Sequence, residues 1–283
     1  MSESFERSAA DAYCARMASG HYENFIVASR FAHPLVRRDL RRIYAFCRST
    51  DDFGDESGDA ALTRLERWRD EVVALFEGRM PVHPVLVALQ ETVERLHMPA
   101  APFLDLIAAN VQDQRVDHYD SMAELHSYCE HSAAPVGRMV LKVFGIGGAD
   151  AEQLSDDVCI GLQLANFAQD VSVDRGKGRC YLLAPEVSRD GIAGAVKAHC
   201  ERARTLLASG YDLEAMAPPA LRFQLALYRL GGLAIIAAIE RCGYHTDVQR
   251  PAVSAAGKAK TLGGALLRLA RRGDQHMRRA ETA

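Results

Sequence analysis

Apolar residues recur at every third or fourth position along most of the chain, and no stretch alternates convincingly between apolar and polar residues as a strand would. This periodicity is typical of α-helices that bury one face. Good helix formers dominate the same stretches, and segments rich in Pro, Gly and Asp separate them. The pattern predicts helices at about 6–17, 23–31, 34–52, 60–77, 84–96, 101–117, 122–144, 151–174, 192–208, 219–242 and 254–272.

These predicted helices follow one another without a visible domain boundary. The connections between them are too short to act as flexible linkers, and no repeat with a period of about 20 to 50 residues is present. A chain of 283 residues with 48% hydrophobic content can bury a substantial core. We therefore expect an all-α protein with a single domain over residues 1–283.

Charge and cysteine content exclude several classes of protein. The net charge is −3 and the basic residues form no tail, so we expect no nucleic-acid partner. The four arginines within residues 37–42 are interpreted as a solvated helix face. Seven scattered cysteines without a CxxC pair favour a reducing compartment.

The chain start and its apolar runs bear on localisation. The start is acidic and polar, unlike a signal peptide. The apolar run Leu230–Ile239 is shorter than the roughly 20 residues that cross a bilayer, so it is expected to be a core helix. We expect a cytoplasmic protein and leave peripheral contact with a membrane open.

An acidic stretch stands in one of the predicted helices. Residues 48–56, RSTDDFGDE, which we name the first acid segment, carry four acids and a glycine. Asp51 and Asp55 are four positions apart and therefore lie on the same helix face. Because the helix before them is apolar, we expect their carboxylates to point into the protein and not into bulk water. Buried carboxylates are tolerated when cations lie between them.

A second group of oxygen-bearing side chains occurs in residues 163–179, which we name the second acid segment. Four of its residues are spaced at three, four and four positions: Gln163, Asn166, Asp170 and Asp174. They share one helix stripe opposite apolar residues. Such oxygen ligands favour Mg²⁺, which completes its coordination with water and phosphate oxygens. We interpret the two segments as sites for Mg²⁺ and a diphosphate, with Arg48 and Arg179 sharing the phosphate charge. For either segment alone, the alternative is a solvated acidic face.

The two segments, their order and their separation resemble those of the squalene/phytoene synthase family. The matching stretches are YAFCRSTDDFGDE and LQLANFAQDVSVDRGKGRCYL, and the resemblance extends over about residues 21–260. It implies a helical isoprenoid-synthase fold with a central cavity. In that fold the two segments face each other and bind Mg²⁺ and diphosphate.

The resemblance also implies a role for each matching position. The implied metal ligands are Asp51, Asp55, Asn166, Asp170 and Asp174. The residues implied to contact or orient the substrate, or to support its metals, are Asn24, Tyr44, Arg48, Gln163, Asn166, Arg179 and Tyr244. Tyr128, in SYCEHSAAPVG, falls where the family has a tyrosine implicated in cation chemistry, so it joins the four aspartates as a catalytic residue. For Tyr128 and Tyr244 the alternative is a core aromatic with a satisfied hydroxyl.

Within the family, three stretches look most like bacterial hydroxysqualene synthases of the hopanoid route: ENFIVASRF, SAAPVGRMVLKVFG and GLQLANFAQDV. This implies Mg²⁺-dependent conversion of presqualene diphosphate to hydroxysqualene, with release of diphosphate. It also implies two functional partners, a presqualene diphosphate synthase and a flavin-dependent hydroxysqualene reductase. No GxGxxG motif after a predicted strand indicates a nicotinamide site.

Two alternatives stay open at this point. The first is a head-to-head prenyl transferase that makes presqualene diphosphate or phytoene from two prenyl diphosphates, because it shares both metal motifs. The second is a non-catalytic helical assembly factor. Degraded acid segments are expected in such a factor, whereas both segments retain their acids here.

Overall fold

The computed structural model describes residues 2–20 and 32–280, and it describes side chains over 7–19 and 32–267. Asn24 and the predicted helix 23–31 lie outside the described residues. The α-helices are α1 (Ser2–Gly20), α2 (Pro34–Asp55), α3 (Ala61–Phe76), α4 (Pro84–Leu96), α5 (Ala101–Gln112), α6 (Met122–Ser132), α7 (Ala134–Val143), α8 (Ala149–Gln169), α9 (Val171–Gly176), α10 (Ala184–Ala208), α11 (Gly210–Met216), α12 (Pro219–Arg241) and α13 (Ala255–Ala280). A 3₁₀ turn occupies Gly58–Ala60. Within the described ranges no strand forms, so the all-α prediction is confirmed.

Several helix boundaries differ from the predictions for local reasons. The predicted helix 122–144 is divided between α6 and α7, because Pro135 has no N–H to continue a helix and lies in the first turn of a new one. The predicted helix 151–174 is interrupted at Asp170, which has φ −99° and ψ 13°. Helix α10 begins before the predicted residue 192 and is kinked at Gly191, whose φ of 72° suits glycine.

Contacts divide the chain into two compact units, which are described separately. The first comprises Met1–Asp117 and His126–Glu152. Helix α2 lies at its centre and packs against α1, α3, α4, α5 and α7. The buried face of α2 places Phe46 against Trp68 and Phe103, with ring centroids 5.6 and 5.0 Å away. This packing fixes the helix whose last turns carry the first acid segment.

Buried ion pairs also hold α2 to its neighbours. Arg42 is fully buried, and its guanidinium donates to both carboxylate oxygens of Asp11, at 2.6 and 2.9 Å. It donates further to Glu91 and Thr92, each at 3.0 Å. The expectation of a solvated arginine face is therefore wrong for Arg42. Burial of this charge is compensated by the acids of α1 and α4.

The second unit comprises His118–Leu125 and Gln153–Ala283, and in it α12 packs against α10, α11 and α13. Of the described helices, α12 is the one long and apolar enough to cross a bilayer by length and composition, but 56% of its apolar window is buried in the fold. Arg229 near its middle is fully buried and donates to Glu214 at 2.7 Å. Helix α12 therefore packs as a core helix.

Candidate active site

The first acid segment forms the last turns of α2. Asp51 and Asp55 both keep access to solvent, whereas Gly54 between them is buried. The expectation that these carboxylates point away from solvent is therefore wrong. The physical reason is that the buried side of α2 is the one that packs in the first unit, and the acid stripe lies on its open side.

Protein nevertheless surrounds Asp51 on most sides. Desolvation raises the pKa of Asp51 to about 7, and the neighbouring charges of Asp55 and Asp52 add to the rise. Hydrogen bonding from Asn110, whose Nδ2 lies 3.4 Å from Asp51 Oδ1, opposes it. A carboxylate in this state gains more from a cation than an exposed one does.

Arg48 binds the two acids that lie outside the predicted metal stripe. Its Nη2 lies 2.7 Å from Asp52 Oδ1, one helical turn away, and 3.5 Å from Glu56 Oε1. Neither acid was assigned a role from the sequence. Their contact with Arg48 holds the guanidinium beside the stripe, where the resemblance places a diphosphate contact.

Two amides from α5 and the residues after it support the first acid segment. Gln114 Nε2 donates to the Gly54 and Asn110 carbonyl oxygens, each at 3.2 Å. A Cβ on Gly54 would lie 2.6 Å from Asn110 Oδ1. Glycine therefore lets the Asn110 side chain lie against α2 and reach Asp51. Sequence reasoning missed both amides, although the polar run NVQDQ after an apolar helix was an available signal.

Tyr128 and Tyr44 are both buried in the first unit, with 4% and 7% of their surface exposed. The Tyr128 hydroxyl donates to Asp113 Oδ2 at 2.8 Å. The ring is thereby held in one orientation. Asp113 is a further acid that the sequence analysis did not identify.

The second acid segment covers the end of α8, Asp170 itself and α9. Backbone bonds run through the interruption, from Asp170 N–H to the Asn166 oxygen at 2.8 Å and from Asp174 N–H to the Asp170 oxygen at 2.9 Å. These three residues therefore keep their one-turn spacing. Asn166 is exposed, and Gln163, Asp170 and Asp174 are half-buried. As in the first segment, the stripe stays open to solvent.

Arg250 binds the second acid segment and was not identified from the sequence. Its Nε donates to Asp170 Oδ1 in a short contact, and its Nη2 donates to Asp170 Oδ2 at 3.2 Å. The hydrogen bond to Asp170 and the charges of Asp170 and Asp174 raise the pKa of Arg250. One arginine in DVQRP, far along the chain from Asp170, carried no signal that could have revealed the pair.

Packing orders the loop that carries Arg179. The backbone N–H of Arg179 donates to the Asp174 oxygen at 2.9 Å. Two residues later, Tyr181 stacks on Phe167 with ring centroids 4.0 Å apart.

Tyr244 has a left-handed φ of 65°, an uncommon conformation for a residue other than glycine, at the turn that follows α12.

The chemistry of these donors fits Mg²⁺. Within the described residues, no three His, Cys, Asp or Glu side chains converge enough to hold a metal ion by themselves. Mg²⁺ commonly binds one or two carboxylates and completes its shell with water and phosphate oxygens. The raised pKa of Asp51 and the guanidinium on Asp170 each mark a carboxylate that a cation would stabilise.

Comparisons with known proteins show what the chain as a whole is similar to. The profile of the family described as squalene/phytoene synthase matches residues 18–257. The crystal structure of squalene synthase HpnC from Alicyclobacillus acidocaldarius is similar, with TM-score 0.79 and 38% identity, over 85% of this chain and 96% of that one. A dehydrosqualene synthase structure with TM-score 0.84 and 21% identity, over 95% of this chain and 99% of that one, shows the same helical fold.

Two curated relatives show the range of names in this group. The chloroplastic phytoene synthase of Narcissus pseudonarcissus is 32% identical over 65% of this chain and 45% of its own length. The presqualene diphosphate synthase of Rhodopseudomonas palustris is 31% identical over 60% of this chain and 61% of its own length. The matched region thus spans about half of these relatives.

Proposed function

Because the chain belongs to the squalene/phytoene synthase family, we propose that it is an enzyme that converts presqualene diphosphate to hydroxysqualene and releases diphosphate, with Mg²⁺ as cofactor. The observation that carries the metal-dependent diphosphate chemistry is the pair of acid segments, and the choice of step rests on the three stretches that resemble hydroxysqualene synthases. Both segments lie within the matched residues, both keep their acids on one stripe, and each has an arginine bound to an acid.

Similarity to a solved structure supports the squalene branch of the family, and the choice of the hydroxysqualene step is our proposal. The structure named squalene synthase is 38% identical over 85% of the chain. The relative named presqualene diphosphate synthase is 31% identical over 60% of the chain. The curated names favour a second candidate, a head-to-head prenyl transferase that makes presqualene diphosphate or phytoene.

Each acid segment would hold Mg²⁺ through its stripe. The proposed ligands are Asp51, Asp55, Asn166, Asp170 and Asp174, with Gln163 in support. When bound, Mg²⁺ would supply the positive charge that stabilises the departing diphosphate. Asn24, Tyr44, Arg48, Arg179 and Tyr244 are proposed to bind or orient that diphosphate.

The proposed reaction balances without a reductant. The C–O bond to diphosphate breaks, a water oxygen forms a new C–O bond with the rearranged cation, and the proton of that water passes to the diphosphate. We assign Tyr128 to the cation, because an aromatic face stabilises positive charge and the bond to Asp113 fixes the ring. No side chain has to act as a strong base.

Product analysis tests the proposal directly. The purified protein is incubated with Mg²⁺ and no reductant, with farnesyl diphosphate in one tube and presqualene diphosphate in another. We expect hydroxysqualene only from the second tube. Presqualene diphosphate or phytoene formed from prenyl diphosphates would replace the proposal with the head-to-head transferase. A folded protein that converts neither substrate would favour the non-catalytic alternative.

The proposal implies partners and a location. A presqualene diphosphate synthase would supply the substrate, and a flavin-dependent hydroxysqualene reductase would consume the product. We also propose a cytoplasmic protein with peripheral membrane contact through α13. That helix contains seven Lys or Arg residues against one Asp, and it exposes Leu262, Leu266 and Leu267. A helix rich in basic residues that exposes leucines suits an anionic bilayer surface, and co-sedimentation with anionic and neutral vesicles tests the contact.

A further inference from the structure

Arg250 is held on the second acid segment from both sides. Ser172 N–H donates to the Thr246 oxygen at 3.2 Å, and Gln169 Nε2 donates to the Pro251 oxygen at 2.7 Å. Thr246 and Gln169 are buried. The chain between residues 246 and 251 is therefore fastened against the start of α9, and Arg250 is placed by its backbone and not only by its side chain.

The guanidinium of Arg250 lies in the field of the proposed metal ligands. It contacts both oxygens of Asp170, and Asp174 adds to the electrostatic stabilisation of its charge. A planar guanidinium across both oxygens of a carboxylate uses the atoms that would otherwise bind a metal. Arg250 and a metal ion thus compete for Asp170.

This pair is open enough to be displaced. The Arg250 side chain is 54% exposed and that of Asp170 is 26% exposed, and ion pairs with this exposure are weak. Arg48 differs in this respect, because it binds acids outside the stripe of its segment. Of these two arginines, Arg250 is the one that occupies a stripe acid.

Building on the proposed function, we propose that Arg250 is a positioning residue that occupies the cation place on Asp170 until Mg²⁺ arrives with diphosphate. Without diphosphate, the guanidinium of Arg250 would compete with Mg²⁺ for the two oxygens of Asp170. With diphosphate, the released guanidinium would donate hydrogen bonds to phosphate oxygens, which would compensate for the lost ion pair. Arg250 therefore opposes binding of metal without substrate and favours binding of both together.

The replacement Arg250→Gln tests both proposed effects, on metal binding without diphosphate and on metal binding with it, and requires no turnover. Mn²⁺, read by electron paramagnetic resonance, serves as the probe in the absence and in the presence of inorganic pyrophosphate. We expect Arg250→Gln to bind Mn²⁺ about tenfold more tightly than the wild type without pyrophosphate and about tenfold more weakly with it. Unchanged or weaker binding without pyrophosphate would overturn the proposal, as would unchanged or tighter binding with it.

Two further variants make the result interpretable. Arg175→Gln removes the same charge from an exposed arginine of α9 that forms no ion pair with another described residue. It should preserve the wild-type ratio of the Mn²⁺ affinities with and without pyrophosphate. Asp170→Asn identifies the part of the Mn²⁺ signal that belongs to Asp170. If that signal is unchanged in Asp170→Asn, the metal assignment of the proposed function fails. If it is lost while Arg250→Gln behaves as the wild type, only the role of Arg250 fails.

Discussion

Each acid segment places two aspartates four positions apart, but the two segments hold their charge differently. In the first, Arg48 binds acids outside the stripe, and Asp51 is desolvated enough that its pKa rises to about 7. In the second, Arg250 binds Asp170 within the stripe. If the segments bind Mg²⁺ as proposed, a proton would be the main competitor for the metal at the first segment, and a guanidinium would be the competitor at the second. The same four-residue spacing of two aspartates would then be controlled in two different ways.

The largest expected effect is the loss of turnover when either stripe loses a carboxylate. Asp51→Asn and Asp170→Asn should each reduce turnover of presqualene diphosphate about 100-fold or more, because each removes a proposed ligand of the metal that would stabilise the departing diphosphate. Steady-state assays at saturating Mg²⁺ measure this. Asp59→Asn, an exposed acid just after the first segment, is the matched control and should leave turnover near wild type. Full activity in either variant would show that the corresponding acid segment is not part of the active site.

The next effect separates the segments by pH. Mn²⁺ binding at the first segment is measured on Asp170→Asn protein. Its affinity should rise about tenfold for each unit of pH increase up to about 7 and level off above that pH, because the metal has to displace the proton of Asp51. Read in Asp51→Asn protein, affinity at the second segment should change little between pH 6 and 8, since Arg250 keeps its proton there. The same pH profile for both variants would contradict the comparison.

A smaller effect is expected on stability without metal. The folded pKa of Asp51 is raised above its unfolded value of about 3.9, so its contribution to stability is present below that value and is lost as pH rises to about 7. The melting temperature of Asp51→Asn should therefore exceed that of the wild type. The difference should grow to a few degrees between pH 5 and 7 and stay constant above pH 7. Urea or thermal melts in EDTA measure it. If the stability difference between Asp51→Asn and the wild type shrinks as pH rises, the pKa of Asp51 is not raised in the folded protein.

The smallest effect concerns Gly54. Gly54→Ala gains about 0.5–1 kcal/mol of helix propensity, but its Cβ would lie 2.6 Å from Asn110 Oδ1 and has to push that side chain aside. We expect little net change in stability and a higher pKa for Asp51, because Asn110 hydrogen bonding lowers it. The pH profile of Mn²⁺ binding should then shift to higher pH, and Asn110→Ala should shift it in the same direction. An unchanged profile in both variants would exclude this role of Asn110.

Local features of the chain were readable from the sequence. The all-α class, most helix positions and the one-turn spacing of both stripes follow from periodicity alone. The break at Asp170 was not readable, because Ser172 bonds to Thr246, a residue far along the chain. Helix α11 was missed as well, since its seven residues are too few for a periodic signal.

The partners of the acids depended on tertiary contacts. Asn110 and Arg250 lie 59 and 80 positions from the acids that they bind, and Asp113 lies 15 positions from Tyr128, so no helical spacing rule could place them. Solvent access was misjudged for a related reason, because an apolar helix can still present an open stripe to water. The metal ligands, the substrate contacts and the single domain over residues 1–283 stay predictions.

Calorimetric titration of inorganic pyrophosphate tests the central claim that both acid segments bind Mg²⁺ together with diphosphate. We expect the wild-type protein to bind pyrophosphate in Mg²⁺ and not in EDTA, and we expect Asp51→Asn and Asp170→Asn each to weaken that binding about tenfold or more. Binding of equal strength in EDTA, or in both variants, would contradict the account.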